Sequence, residues 1–205
     1  MRIAILGTRG IPNFYGGFEQ FAEYLSEFLV KQGHEVFVYS SNHHPYKQKE
    51  WNGVSLIHKF DPEKTIGTIG QFIYDLACIA DSRKRKFDII LQLGYTSSSV
   101  WSFLFPKGST IVTNMDGLEW KRSKYSGLTQ KFLHFAEKIA IVKSDFLIAD
   151  SIGIQKYIYS RYKKVSHFIP YGANIFKTSK EEKITAHDVL PNQYNLLIAR
   201  MEPEN

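Results

Sequence analysis

Two adjacent glycines, Gly16-Gly17, stand directly before a helical pattern, and two carboxylates, Asp116 and Glu119, stand directly after a strand pattern. Bare glycine backbone at a helix start leaves N–H groups uncovered at the positive end of the dipole, which suits a phosphate. The same glycines also suit a tight turn that needs positive φ, and the residues alone leave the two readings level. Asp116 has the chemistry to accept a sugar hydroxyl or to act as a base. Asp116-Gly117 equally makes an ordinary turn, with Glu119 decorating the segment beyond, and the residues alone favour that turn. Lys121, Arg122 and Lys124, mixed with Trp120 and Tyr125, suit either anionic lipid head groups or a solvated helix start.

Other chemistries fail on spacing. A dinucleotide fingerprint needs G-x-G-x-x-G and an acidic residue closing strand two. Here the run is Gly7-x-x-Gly10 with a distant Gly16-Gly17, and strand two ends at Ser40-Ser41. No P-loop and no G-x-S-x-G elbow is present. His43-His44 lacks the cysteine or spaced acidic companions of a metal site, and none is expected. His34, His58 and His167 read as structural, Cys78 as a small core residue, and Arg83-Lys84-Arg85-Lys86 as a favourable helix end.

These residues need a scaffold, and the hydrophobic periodicity supplies one. Ile3 to Leu6 is a strand that halts at Gly7-Thr8-Arg9-Gly10, and Phe18, Phe21, Ala22, Leu25, Phe28 and Leu29 mark a helix that Gly33 ends. Glu35–Tyr39 and Val54–His58 are the next strands, with a polar loop from Ser41 to Asn52. Ile66, Ile69, Ile73, Leu76, Ala77 and Ala80 mark a second helix, and Phe87–Leu93 is a strand buried on both faces. Gly94-Tyr95-Thr96 turns the chain, and Ser97-Ser98 is placed to cap a short helix through Phe105. The strand Thr110–Thr113 precedes Asp116. A helix from Leu128 to Val142 follows, with Phe132, Phe135, Ala136 and Ile139 inward. Phe146–Ala149, a helix opened by Asp150-Ser151, and Val165–Ile169 close the series. The expectation is a doubly wound α/β, Rossmann-like parallel sheet of about seven strands over residues 1–173. Residues 174–193 read as a linker. Residues 194–205 read as the start of a second domain, because a buried strand there has no crossover helix after it.

Composition bounds the class. The 205 residues are 43% hydrophobic and 22% charged, which is globular rather than disordered. No apolar run reaches the roughly 20 residues of a membrane span, and no signal peptide is apparent. One cysteine suits a reducing compartment, so a cytoplasmic location is expected. The formal charge of +6 fits an anionic ligand, an anionic membrane surface or nucleic acid, and charge alone does not choose among these.

Four stretches carry a family resemblance: Ile5–Pro12 with Tyr15–Glu19, Asn114–Arg122, Ala149-Asp150-Ser151, and Ile169-Pro170-Tyr171-Gly172-Ala173. Together they resemble the amino-terminal domain of bacterial group 1 glycosyltransferases, in the rhamnosyltransferase-like branch. That resemblance implies half of a GT-B fold and retaining, metal-free hexosyl transfer in surface polysaccharide synthesis. A nucleotide-sugar donor and a saccharide or lipid-linked acceptor are implied, without any cofactor or nucleic-acid partner. It implies peripheral contact with the inner face of the membrane as well. The implied substrate-binding residues are Thr8, Arg9, Gly16, Gly17, Tyr95, Glu119 and the phosphate-neutralising Arg200, with Asp116 beside the reacting sugar as the catalytic candidate. The donor stays open between a deoxythymidine-linked rhamnose and a UDP-sugar. The 205 residues alone are expected to transfer no sugar.

Overall fold

The computed structural model describes residues 1–122, 125–173, 190 and 193–195. Most of the expected linker and second-domain start, Arg200 and Lys124 lie outside the described residues. The elements run β1 (Arg2–Leu6), α1 (Gly17–Lys31), β2 (Glu35–Ser41), β3 (Glu50–Trp51) and β4 (Val54–Lys59). Then come α2 (Glu63–Ile66), α3 (Ile69–Ser82), β5 (Ile89–Leu93), β6 (Thr110–Asn114) and α4 (Gly127–Lys143). β7 (Phe146–Ala149), α5 (Ile152–Tyr162) and β8 (His167–Phe168) complete the series, with 3₁₀ turns at Ser99–Leu104 and Glu119–Lys121.

The sheet order is β3-β4-β2-β1-β5-β6-β7-β8. The chain builds outward from β1 through β2 to β4, crosses back to β5, and then builds the other way. That reversal puts the switch point between β1 and β5, where an open sheet leaves a crevice at the carboxyl ends of its strands. Alternate side chains feed two faces. Ala4, Leu6 and Ile90 join Tyr74, Cys78 and Ile79 of α3, whereas Ile5, Val38 and Leu91 join Ala22 of α1. A third cluster packs Ala136, Ala140 and Ile141 of α4 against Leu147 and Ile158. Cys78 is buried in the first of these clusters as a core residue.

Five expectations are corrected. The described residues form the doubly wound sheet of about seven strands that is expected, but the polar loop contains an additional short strand, β3, which pairs antiparallel with β4. Asn52 and Gly53 turn this hairpin with φ of 48° and 80°, the left-handed pair of a two-residue hairpin loop. The face of α3 is also different: Gly70, Tyr74, Asp75, Cys78, Ile79 and Ser82 point inward, and Ile66, Ile69 and Ile73 are exposed. Gly67 breaks the expected single helix into α2 and α3. The inward face of α4 is Leu133, Ala136, Glu137, Ala140 and Ile141, with Phe135 exposed. Glu137 tolerates burial because Trp120 Nε1 (3.1 Å), Tyr157 Oη (2.8 Å) and Tyr162 Oη (2.5 Å) all donate to it. Finally, Ser98 makes no side-chain cap; Ser99–Leu104 is a 3₁₀ turn, and the Ser97 hydroxyl donates instead to Asp75 at 2.5 Å. Ser151 does cap α5, accepting from the Ile154 amide at 3.2 Å.

Candidate functional site

At the switch point the chain must leave β1 tightly. Gly7 adopts φ +86°, and a Cβ there would overlap the Leu93 carbonyl oxygen and come within 2.6 Å of Gln92 Nε2. Gly10, at φ +124°, faces Ser40 Oγ at 2.7 Å in the same sense. Between them Thr8 is buried; its Oγ1 accepts the Gly10 amide at 2.7 Å and its carbonyl accepts Tyr74 Oη at 2.9 Å. Thr8 thus holds the loop in shape. Arg9 turns its guanidinium onto Glu63 at 2.6 Å and Asp61 at 4.0 Å, above the Tyr74 ring. Both side chains meet protein groups in this structure.

Gly16 and Gly17 differ from Gly7 and Gly10. Gly16 is extended at φ −149°, and neither residue has positive φ, so a strained turn does not account for them. The Gly17, Phe18 and Glu19 amides lie ahead of the first helical bond, Gln20 N to Gly16 O. Among the described residues none accepts from these amides, and Gly16 offers no side-chain cap. Glu19 is buried with its carboxylate on the loop side, where Oε1 accepts the Arg9 amide at 2.7 Å. A Cβ on Gly17 would meet open space. The helix start is therefore uncapped and open on the Gly17 side, while Glu19 Oε2 stands 2.9 Å from where a Gly16 Cβ would lie.

The second group lies at the carboxyl ends of β6, β7 and β8. Asp116, just past β6, lies near Asp150, just past β7, close enough for the Asp150 charge to act on it. Burial pushes Asp116 up to about 6, reinforced by the charges of Asp150 and Glu119, while Arg122 pulls it down. Glu119 itself pairs with Arg122 at 3.3 Å. Tyr171, just past β8, accepts from Asn114 Nδ2 at 3.1 Å, and burial, then Asp116, pushes its hydroxyl up to about 12. Tyr95 is buried and donates to the Gly117 carbonyl at 3.4 Å, holding the turn that carries Asp116. Two acceptors, Asn114 Oδ1 and Asp150 Oδ1, are buried with no partner among the described residues. Buried acceptors left open this way call for donors from a ligand or from water.

The two groups share one rim. Phe21 of α1 packs edge-on to Tyr171, ring centroids 5.5 Å apart, and Phe18 lies against Gly94. The candidates Gly16, Gly17, Asp116, Glu119 and Tyr95 thus fall on the carboxyl edge of the sheet. Arg200 lies outside the described residues. Asp150, Tyr171 and Asn114 had no assigned role, although each stands in a stretch that carried the resemblance.

An acid whose folded pKa exceeds its unfolded one keeps a proton that the unfolded chain releases. Its contribution to stability is complete below about 4 and is lost as pH rises through about 6. Asp75, buried beneath Arg9 and also pushed up to about 6 by burial, acts in the same direction. The carboxylate at Asp116 is ionised at neutral pH, at a cost to the fold.

Residues 1–174 match the family described as "Domain of unknown function (DUF1972)". No curated protein matches the chain. Among solved structures, sucrose-phosphate synthase from Thermosynechococcus elongatus superposes with a TM-score of 0.71 at 19% identity, covering 94% of this chain and 53% of its own. A second structure of sucrose-phosphate synthase from that organism gives a TM-score of 0.55 at 17% identity, covering 85% of this chain and 91% of its own. The chain therefore spans about half the length of the first of these proteins, and what it shares with that half is an α/β, Rossmann-like fold.

Proposed function

Because this chain belongs to the DUF1972 family, a domain whose function is not known, we propose a role from its own site: the acceptor-side, amino-terminal half of a retaining glycosyltransferase. The complete enzyme moves a hexose, rhamnose by the motif resemblance, from a nucleotide sugar to a saccharide or lipid-linked acceptor of a surface polysaccharide. The observation that carries this reading is the pair of open buried acceptors, Asn114 Oδ1 and Asp150 Oδ1, beside Asp116 and Tyr171. A sugar presents several hydroxyl donors at once, which is what such a cluster lacks. The likeness of fold to a sucrose-phosphate synthase supports it.

In this reading Asp116 and Asp150 accept hydroxyls of the reacting sugars. Asp116, ionised above about 6, orients the acceptor oxygen toward the donor carbon. Charge builds on the departing diphosphate, and the bare amides of Gly17 to Glu19 are fixed dipoles aimed at such charge. Arg200 adds its charge from the opposite lobe, an assignment that rests on the motif alone. The 205 residues by themselves transfer no sugar, since the donor is held by that second lobe.

A second reading, a binding module that holds a phosphorylated ligand without chemistry, is favoured by the openness of those amides in this chain on its own. Gly17→Ala tests the feature common to both. The added methyl meets nothing in the protein and improves helix propensity, so the melting temperature should hold or rise. Its Cβ stands where the anion would sit. Calorimetry with inorganic pyrophosphate should show affinity falling roughly tenfold, about the worth of one charge-assisted hydrogen bond. Unchanged affinity removes the glycine amides from the site.

A further inference from the structure

We propose that Glu137 is a positioning residue: its carboxylate, on α4, ties the turn that carries Asp116 to the helix that follows Asp150. Glu137 is 1% exposed. Its Oε2 accepts Trp120 Nε1 at 3.1 Å, and its Oε1 accepts Tyr157 Oη at 2.8 Å and Tyr162 Oη at 2.5 Å. Trp120 stands in the 3₁₀ turn Glu119–Lys121, shortly after Asp116. Tyr157 stands on α5, which Ser151 caps directly after Asp150. One buried group therefore joins the segments that leave β6 and β7.

Adhesion alone does not need this carboxylate. Ala136, Ala140 and Ile141 already pack α4 against Leu147 and Ile158, and apolar groups of matching shape often replace a buried hydrogen-bonded set at little cost. What apolar contact lacks is direction. A fully satisfied buried network selects one arrangement of its members. Trp120 stacks on His134 of α4, ring centroids 4.0 Å apart and planes at 25°, so stacking and hydrogen bond hold the indole together. Burial, then the bond to Glu137, pushes the Tyr157 and Tyr162 hydroxyls up, which keeps both as donors. Tyr95 also reaches the Asp116 turn, at the Gly117 carbonyl, but over 3.4 Å; the Trp120 bond is the shorter hold.

The site cannot set its own spacing. Asp116 and Asp150 act on each other as like charges, and Asn114 Oδ1 and Asp150 Oδ1 have no partner among the described residues. Carboxylates so placed gain by moving apart into water. The restraint that prevents this comes through Glu137. A part in sugar transfer rests on Asp116 meeting the sugar; the restraint itself does not.

The test is NMR of the 205-residue chain. It reads the Asp116 carboxyl titration and amide exchange at Met115, whose N–H donates to the Ile148 carbonyl at 2.8 Å between the two strand ends. Trp120→Phe keeps an aromatic ring and removes the N–H. Its Asp116 midpoint should fall from about 6 to about 5 or below as the turn opens to water, and Met115 exchange should quicken about tenfold. Glu137→Leu, which leaves no acceptor, should do the same. Glu137→Gln should keep both values near the parent's, because its amide oxygen can accept from Trp120 while its NH₂ donates to the tyrosine oxygens. Tyr162→Phe is the control: it removes a donor to the same carboxylate from the far end of α5 and should leave both values unmoved even where it lowers the melting temperature. Asp150, Glu119 and Arg122, whose charges act on Asp116, are the same in every variant. Unmoved values in Trp120→Phe, whatever its melting temperature, overturn the proposal, as does equal movement in Tyr162→Phe. Neither measurement involves a sugar, so its failure is distinct from a failure of Asp116 as a sugar-binding group.

Discussion

Asp116→Asn, placed in a complete enzyme with both lobes, is expected to cut sugar transfer about 10²–10⁴-fold, the usual worth of a positioned acid or base. Stability should move the other way. Asp116 sits among Asp150 and Glu119 with burial raising it to about 6, so the folded state pays to ionise it. Asparagine keeps the shape and removes that cost. At pH 8 the variant should be more stable by about 1–2 kcal/mol, allowing for partial solvent screening. Near pH 4, where the parent carboxyl is protonated, the difference should vanish. Urea melts at the two pH values separate a site residue held at a cost from a structural one: if asparagine destabilises at both, Asp116 serves the fold.

Gly7→Ala should be the most damaging change to the fold. A methyl there would overlap the Leu93 carbonyl oxygen of the neighbouring strand's end, at a backbone φ of +86° that L side chains avoid. Neither obstacle can yield cheaply, since one is backbone and the other is the dihedral itself. A loss of about 3 kcal/mol or more is expected, from strain and from separating β1 and β5 at the switch point. Chemical denaturation measures it. An alanine variant within 1 kcal/mol of the parent would mean that the β1–β5 approach is looser than drawn. The contrast with Gly17→Ala is instructive: two glycines ten residues apart, one required by packing and the other by nothing within the protein.

That contrast also marks what could be read from the chain alone. The β1–α1–β2 unit was legible because apolar period and glycine punctuation agree there. The hairpin of β3 and β4 is hard to read, although Asn52-Gly53 is the standard signal for it; β3 is only two residues long, too short for alternation to register. The inward faces of α3 and α4 are not legible because aliphatic residues lie all round them. Periodicity cannot foresee that Glu137 goes inside with three donors, or that Phe135 stays outside.

The site was legible in parts. Asp116, Gly16 and Gly17 could be singled out because each sits between a strand and a helix. Asp150 and Tyr171 could not be given a role, since each comes from a different strand end. Only the parallel order β6-β7-β8 brings those ends to one edge. Likewise the resemblance implies only a substrate-binding role for Arg9, and the return of the chain after β4 is what supplies Asp61 and Glu63 to hold it.

The most direct test is an amide-resolved NMR titration of the chain with a nucleoside diphosphate. The account predicts saturable shifts at Gly17, Phe18 and Glu19, reaching Asn114 and Asp116 through the Phe21–Tyr171 contact. Shifts that leave those amides untouched, or that arise only on the exposed face of α4, would contradict it.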